Sequence, residues 1–297
     1  MILGSGCMAF LMLCGCRSDK ERYDATGTFE ATEVTVSAET QGRILALMVN
    51  EGDTVAVNQP AGAIDSLQLV LQKEQLIASH RAVDARSIDI GTQIAALREQ
   101  IGKQQREKTR FENLRRANAA TQKQVDDINA QLVVLERELE AQLSNLRKNN
   151  SGIKNESEAV VYQIARFCDL IRKCNIVSPV SGTVIAKYAE AGEFAVPGTP
   201  LFKIADLKTP FLRAYVTSEQ LTSVRINQQV EVIADFGAGY LRTYRGTVSW
   251  IGDKAEFTPK GIQTRNERAS QVYPVKIRLE NDGYIKSGMY GGVRFKS

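Results

Sequence analysis

Proline is missing from the middle of the chain: none of the 7 prolines lies between Ser66 and Cys174. Because proline removes a helical hydrogen bond and clashes with the preceding turn, its absence permits long helices. Apolar or tolerated residues recur there at steps of three and four, the spacing of a narrow coiled-coil seam. The seam positions are Leu76, His80, Val83, Ser87, Ile90, Ile94, Leu97 and Ile101, then Val125, Ile128, Leu132, Leu135 and Leu139, then Val160, Ile164, Phe167, Ile171 and Cys174. We therefore predict long helices over residues 66–174.

Histidine is almost absent, with 1 residue in the whole sequence. His80 lies on the predicted seam, where a tolerated seam residue explains it better than a general base or a metal ligand. No serine or cysteine has a plausible histidine partner in the sequence, and no glycine-rich phosphate loop follows a predicted strand. We therefore expect a protein that is not an enzyme and that has no catalytic residues, no metal and no cofactor.

A marked excess of one charge is also lacking, since 38 basic and 34 acidic residues leave a formal charge of +4. The sequence has no basic tract with interleaved aromatic residues, so binding to nucleic acid is disfavoured. The long helical stretch leaves too few residues for one large additional core, and several small domains are expected.

Residues 117–121 interrupt the seam and have the chemistry of a turn. Asn118 tolerates the left-handed conformation that ends a helix, and Thr121 can cap the next helix with Gln124 as its capping-box partner. A turn here gives an antiparallel hairpin whose two arms are each roughly 75–80 Å long. A single unbroken rod is disfavoured, because it would hold the flanking segments far apart.

Two glycine-containing sites lie at nearly equal distances from this turn, Gly91 in the first arm and residues 149–152 in the second. Glycine within a helix costs about 1 kcal/mol relative to alanine. Either both arms bend at one height, or these are two unrelated and tolerated glycines.

The segments that flank the helical stretch repeat each other. Residues 36–64 and 176–204 align without a gap. The matched pairs include Gly42 with Gly182, Ala46 with Ala186, Gly52 with Gly192, Pro60 with Pro200 and Ile64 with Ile204. Each half reads as short apolar strands separated by glycine turns and is too small to bury its own apolar face. We therefore expect the halves to pack together into one flattened barrel with the hairpin inserted at one end.

Beyond residue 206 the pattern changes to strands separated by turn residues, as in an antiparallel barrel. The predicted strands are residues 211–216, 229–234, 245–251, 272–279 and 291–295, with a short helix at 218–224. Residues 237–239 read as a hairpin turn, and residues 23–33 are expected to add a strand to this barrel.

The first sixteen residues are apolar and small, and they end at a charged run from Arg17 to Arg22. Their length suits the core of a signal peptide better than a membrane span. The residues before and including Cys16 resemble the lipobox of bacterial lipoproteins, which makes Cys16 the candidate for lipidation. The alternatives are a short anchor helix or a signal peptide that is cleaved without lipidation.

Cys168 and Cys174 invite a disulfide in an exported protein. On one helix their Cα atoms would lie roughly 9 Å apart, beyond the reach of a disulfide. Buried or unpaired thiols are therefore expected.

The duplicated halves with a helical hairpin between them resemble the periplasmic adaptors, or membrane fusion proteins, of the hemolysin secretion protein D family. The resemblance covers nearly all of residues 24–297. In family members that dock onto TolC-type outer-membrane channels, the hairpin tip carries Arg, then Leu four residues later, then Ser or Thr seven residues after that. Arg110, Leu114 and Thr121 stand in this spacing.

The resemblance implies an elongated α+β protein of several domains. Residues 1–22 would be a lipoprotein signal or anchor with a tether, and residues 34–65 with 175–206 a split lipoyl-like, or barrel-sandwich, domain. Residues 66–174 would form a long antiparallel coiled-coil hairpin with its tip near 117–121. Residues 23–33 with 207–297 would form an antiparallel β-barrel domain, with the membrane-proximal part reduced or absent.

The same resemblance implies a function and its partners. The protein would link an inner-membrane transporter to a TolC-type outer-membrane channel, with Arg110, Leu114 and Thr121 as channel-binding residues. Residues 256–268 resemble the barrel loop of adaptors that serve ABC exporters, which favours an ABC partner over a resistance-nodulation-division pump. Copies would self-associate, as hexamers by family resemblance, in the periplasm of a Gram-negative bacterium, anchored to the inner membrane.

Two other classes of protein share some of these features. A lipoyl or biotinyl carrier presents its modified lysine on the turn that joins the two halves, and here the helical stretch replaces that turn. A structural coiled-coil envelope lipoprotein would account for the helices and the lipid. It would not account for the repeat, the second barrel or the tip motif.

Overall fold

The computed structural model describes residues 23–237, 240–257 and 271–295. Its strands are β1 (Ala25–Ser37), β2 (Gly42–Leu47), β3 (Thr54–Val55), β4 (Pro60–Ile64), β5 (Asn175–Val177), β6 (Gly182–Lys187), β7 (Phe194–Ala195), β8 (Pro200–Thr217), β9 (Gln229–Asp235), β10 (Leu241–Ile251), β11 (Glu256–Phe257), β12 (Gln271–Leu279) and β13 (Tyr290–Arg294). Its helices are α1 (Leu67–Asp84), α2 (Ile90–Arg116), α3 (Gln122–Lys173) and α4 (Ser218–Leu221). Cys16, residues 238–239 and most of the predicted barrel loop lie outside the described residues.

The two repeated halves exchange strands. β2 of the first half pairs with β7 of the second through Gly42 and Ala195. β6 of the second half pairs with β3 of the first through Gly182 and Val55. These two pairings are equivalent in the repeat, so each half completes the other. The halves therefore interleave in one module, as the repeat predicts.

One apolar core fills this module, and equivalent residues of the two halves contribute to it. Ile44 and Val184 are each 1% exposed, and Ile64 and Ile204 are 2% and 0% exposed. Burying one such side chain contributes about 1.5–3 kcal/mol relative to leaving it in water. Neither half contains enough of these residues to form a core alone, which is why the fold requires both.

The second barrel is closed by six strands. Around it the order is β8, β12, β10, β9, β13 and β1, and β1 returns to β8. Its core includes Phe29, Leu212, Val232 and Ile277, all fully buried. β1 and β8 continue from this barrel into the interleaved module, so two long strands join the two β units.

The helices emerge from the interleaved module, because α1 follows β4 and α3 leads back into β5. α3 is one helix of 52 residues, roughly 78 Å long. The buried positions on α1, α2 and α3 are Val83, Ile94, Leu97, Ile101, Val125, Leu132 and Ser157. All of them except Ser157 are predicted seam positions.

The first arm is not continuous. α1 ends at Asp84 and α2 begins at Ile90, and we call residues 85–89 between them the elbow. Two alternatives were open for the glycine-containing sites, and a break at one height in both arms is not found, because α3 passes through residues 149–152 without interruption. In the first arm the break precedes Gly91, and Asp89 caps α2 by accepting the Gly91 N–H at 2.9 Å.

Side chains of α3 hold the elbow in place. The amide of Asn150 accepts the N–H of Ile88 at 3.0 Å and donates to the carbonyl of Ile88 at 2.8 Å. This pairing satisfies two backbone groups that the break would otherwise leave without helical partners. An ion pair between Arg86 and Glu156 adds a contact beside it.

Ser157 forms a second polar contact between α3 and the end of α1, next to the elbow. Its hydroxyl donates to Oδ1 of Asp84 at 2.6 Å and lies 3.0 Å from Nε2 of His80. The expectation that no serine has a histidine partner is therefore wrong. The sequence does carry a signal for it, because Asn150, Ile153 and Ser157 extend the seam spacing upstream of Val160.

The His80 cluster does not have the geometry of a nucleophilic serine. Activation would require the Ser157 proton to point at the imidazole, but that proton is directed to the Asp84 carboxylate. Nδ1 of His80 lies 3.4 Å from the other oxygen of the same carboxylate. Asp84 thus binds both partners, and the cluster joins α1 to α3.

Candidate functional site: the tip of the helices

The turn between α2 and α3 is built by local backbone chemistry. Asn118 has a φ of +56°, the left-handed conformation that closes a helix. The N–H of Ala119 then bonds to the carbonyl of Leu114 at 2.8 Å. The chain reverses within residues 117–121, at the place that the sequence predicts.

Thr121 begins the returning helix with a capping box. Its Oγ1 accepts the N–H of Gln124 at 3.3 Å, and the side chain of Gln124 accepts the N–H of Thr121 at 2.8 Å. The predicted cap and its partner are confirmed. The Thr121 hydroxyl also lies 3.1 Å from Oε1 of Gln124, so both its donor and its acceptor functions have partners inside the turn.

The three residues of the tip motif lie at this turn. Arg110 and Leu114 are one helical turn apart on α2, on the same face, and Thr121 caps α3. The side chain of Arg110 is 67% exposed, and its Nη1 lies 3.6 Å from Oε2 of Glu107. Leu114 is half-buried and Thr121 is exposed. Arg110 and Thr121 are thus accessible to a partner, while Leu114 is accessible in part.

Further polar contacts fix the orientation of the turn. Nη1 of Arg115 donates to Oε1 of Gln122 at 2.7 Å, which joins the end of α2 to the first residue of α3. Nε2 of Gln122 donates to Asp126 at 2.7 Å. The tip is therefore a short turn whose two helices are held together by side chains.

The two cysteines of the helical region differ in environment. Cys168 is exposed and Cys174 is buried, and both are free thiols, as expected. Burial raises the pKa of the Cys174 thiol, which the hydrogen bond from Thr40 partly opposes. At neutral pH, Cys174 is therefore a poor nucleophile held in the core of the interleaved module.

Within residues 23–237, 240–257 and 271–295, no group of His, Cys, Asp or Glu is arranged to hold a metal ion. None of the helices in that part of the chain combines the length and the apolarity that crossing a bilayer requires.

The interleaved module and the helices between its halves match a known protein family. The family model described as "RND MFP, barrel-sandwich hybrid domain" matches residues 32–207, more than half of the chain. The chain belongs to the membrane fusion protein family. This membrane fusion protein is similar over most of its length to UPF0194 membrane proteins of Acidithiobacillus ferridurans, at 23% identity over 97% of this chain and 91% of the relative, and of Yersinia enterocolitica, at 24% identity over 93% and 91%.

A solved structure shows the same fold. The crystal structure of MacA from Actinobacillus actinomycetemcomitans aligns with a TM-score of 0.52 and 19% identity, covering 91% of this chain and 76% of the other. At that identity the likeness establishes the architecture of this membrane fusion protein.

Proposed function

We propose that this protein is the periplasmic adaptor of a tripartite efflux or secretion system. It links an inner-membrane transporter to a TolC-type outer-membrane channel, with the barrel and the interleaved module on the transporter side. The three helices act as one long hairpin that reaches the channel, and the protein is held at the inner membrane by a lipid on Cys16 or by an N-terminal anchor. Membership of the membrane fusion protein family is the observation that carries this proposal.

The geometry of the tip supports channel binding by Arg110, Leu114 and Thr121. A planar guanidinium can bind carbonyl or carboxylate groups with fixed geometry, and Arg110 has only one weak partner, Glu107 at 3.6 Å. Leu114 supplies apolar area beside it. The two arms pack against each other along buried seam residues such as Leu97 and Leu132. This packing restrains the two helices that hold the turn.

Self-association is part of the proposal. The interleaved module carries large apolar side chains on its surface at equivalent places in both halves, Leu45 with Ile185 and Met48 with Tyr188. Their exposed fractions are 58% and 36%, then 63% and 49%. Two equivalent apolar surfaces on one molecule suit a ring in which neighbouring copies contact each other head to tail. We take six copies from family resemblance.

The proposal also names the class of inner-membrane transporter that the protein serves. The barrel loop resembles that of adaptors for ABC exporters, and we propose an ABC partner on that ground. The matching family model is named for resistance-nodulation-division pumps, which makes such a pump the second candidate. Purification of the protein from crosslinked cells, with identification of the inner-membrane protein that accompanies it, decides between them.

The channel-binding residues are tested by Arg110→Asp and Leu114→Ser. We expect each variant to abolish export and crosslinking to the TolC-type channel, while self-association and helix content remain as in the parent protein. The matched control is Arg137→Asp. Arg137 is also an exposed arginine with a glutamate three residues away, Glu140 at 3.0 Å, but it lies far from the turn on α3.

Two outcomes of these crosslinking experiments would contradict the proposal. If Arg110→Asp and Leu114→Ser crosslink to the channel as strongly as Arg137→Asp does, the tip assignment is wrong. If the parent protein crosslinks to neither a transporter nor a channel, the reading as a structural envelope lipoprotein replaces this one.

A further inference from the structure

Charge is distributed unevenly along the helices. The end of α2, the turn and the start of α3, residues 103–123, contain seven basic residues and two acidic ones, whereas the whole chain has a net charge of +4. The basic residues are Lys103, Arg106, Lys108, Arg110, Arg115, Arg116 and Lys123. The next turn of α3 adds Asp126 and Asp127, so most of the excess charge lies on α2. The composition of the whole chain conceals this concentration.

These cations differ from those elsewhere on the helices in having few carboxylate partners. Within the described part of the chain, Arg110 is the one cation of the seven with a carboxylate at salt-bridge distance. Arg115 and Arg116 bond to the neutral side chains of Gln122 and Asn113. Farther along α3, Lys154 pairs with Glu158, and both Arg172 and Lys173 pair with Asp169.

Three of the cations form a stripe on one face of α2. Lys103, Arg106 and Arg110 follow each other at steps of three and four, so their side chains lie on one side of the helix, and all three are exposed. Nη1 of Arg106 lies 3.6 Å from where a Cβ on Gly102 would be, so its guanidinium extends along the helix surface. We call Lys103, Arg106 and Arg110 the basic stripe.

A charged face on a helix is most often only a solvated face, but the arrangement here has an energetic disadvantage. Like charges one helical turn apart destabilise a helix. Lys103 has Glu107 within one turn, but Glu107 is shared with Arg110. The stripe therefore keeps unpaired charge where glutamates would have stabilised the helix, which favours a role in binding an anionic surface.

The surface around the stripe favours a protein over a lipid bilayer. Helices that bind lipid surfaces combine a basic face with large exposed apolar side chains that enter the bilayer. In this region the apolar side chains Phe111 and Leu114 are half-buried, and no large apolar residue between Leu71 and Val133 is strongly exposed. The region also lacks the exposed aromatic residues that stack on single-stranded nucleic acid.

We propose that the basic stripe, Lys103, Arg106 and Arg110, docks against a carboxylate-rich protein surface at the channel entrance. This inference rests on the proposed function, because it names the chemistry of the partner at the tip and adds two residues, Lys103 and Arg106, to the contact. Electrostatic contacts of this kind steer association and are weakened by salt. Lys103 lies about two turns of helix before Arg110, so in this proposal the channel's acidic surface extends along the outside of α2.

The test compares Lys103→Gln/Arg106→Gln with Arg147→Gln/Lys148→Gln in the full-length protein. Both double variants remove two exposed cations of the same hairpin, but Arg147 and Lys148 lie on α3 away from the turn. Binding to the purified TolC-type channel of the same organism is measured at about 0.05 M and about 0.5 M salt. A second measurement uses vesicles of phosphatidylcholine with and without phosphatidylglycerol.

We expect the stripe variant to bind the channel roughly 3- to 10-fold more weakly at low salt and to approach the parent protein at high salt. The α3 variant should match the parent at both salt concentrations.

Equal losses in both variants, or a loss independent of salt, would overturn the assignment of the basic stripe while leaving channel binding by the tip in place. Stripe-dependent binding to anionic vesicles without a change at the channel would overturn the choice of a protein partner. Failure of the parent protein to bind the channel would overturn the proposed function and this inference with it.

Discussion

The elbow and the tip both interrupt the helices, and they use polar side chains in opposite ways. At the elbow, Asn150 bonds to both backbone groups of Ile88, and Ser157 bonds to Asp84 beside His80. At the tip, the exposed cations of the basic stripe have one carboxylate partner among them, Glu107. Polar groups of the elbow are used within the chain, whereas the cations of the basic stripe remain available to another molecule.

This difference predicts that side-chain substitutions at the elbow lower stability more than substitutions in the basic stripe do. A break in a helix leaves backbone donors and acceptors without partners, and at the elbow α3 has to supply them. The tip satisfies its backbone by itself, through the left-handed Asn118 and the Thr121 capping box. The side chains of Thr121 and Gln124 hold the turn, so the cations of the basic stripe are not required for the fold and can bind another molecule.

The largest expected effect on stability is at the elbow. Asn150→Ala removes the two bonds to Ile88 and leaves its N–H and carbonyl without partners, at a cost of about 1–3 kcal/mol. Asn149→Ala is the matched control, since Asn149 is exposed, lies next to it on α3 and makes the same change in helix propensity. Hydrogen–deuterium exchange over residues 85–92 should be about 5- to 150-fold faster in Asn150→Ala than in Asn149→Ala. Equal exchange in the two variants would mean that the elbow is not held by this side chain.

An intermediate effect is expected at Thr121. Thr121→Ala removes the cap of α3 and should lower the stability of the helices by about 1 kcal/mol, whereas Thr121→Ser keeps the hydroxyl and should change it little. Thermal unfolding followed by circular dichroism measures both. A Thr121→Ser variant that is as unstable as Thr121→Ala would show that the methyl group, not the cap, stabilises the turn. Channel affinity measured on the two variants then separates the capping role of Thr121 from any contact with the channel.

The smallest effect on stability is expected at the basic stripe. Lys103→Gln/Arg106→Gln relieves repulsion between neighbouring cations, so the free energy of unfolding should stay the same or rise by up to about 0.5 kcal/mol. Chemical denaturation of the protein, compared at low and high salt, measures this change. A loss of stability comparable with that of Asn150→Ala would contradict the contrast between elbow and tip, because it would place the stripe among the contacts that hold the fold.

Local chemistry explains which features were predictable. The turn at residues 117–121 depends on the conformational tolerance of Asn118 and on a capping pair three residues apart, and both can be read from neighbouring residues. The seam depends on a period, and this period predicts the buried positions of α1, α2 and α3 with the exception of Ser157. The basic stripe was also present in the sequence, but the balanced composition of the whole chain hid it.

The sequence by itself determined the duplicated module, the helical stretch between its halves and the place where the helices turn, because repeats, periodicity and caps act over short distances or by direct comparison. Only the tertiary structure decided that the first arm breaks at residues 85–89 while α3 continues past Gly152. No proline marks that break, and a glycine marks a position that does not break. The reason is physical: the groups that stabilise the elbow come from residues 62 and 73 positions away, Asn150 and Ser157, and their effect exists only once α3 lies against α1 and α2.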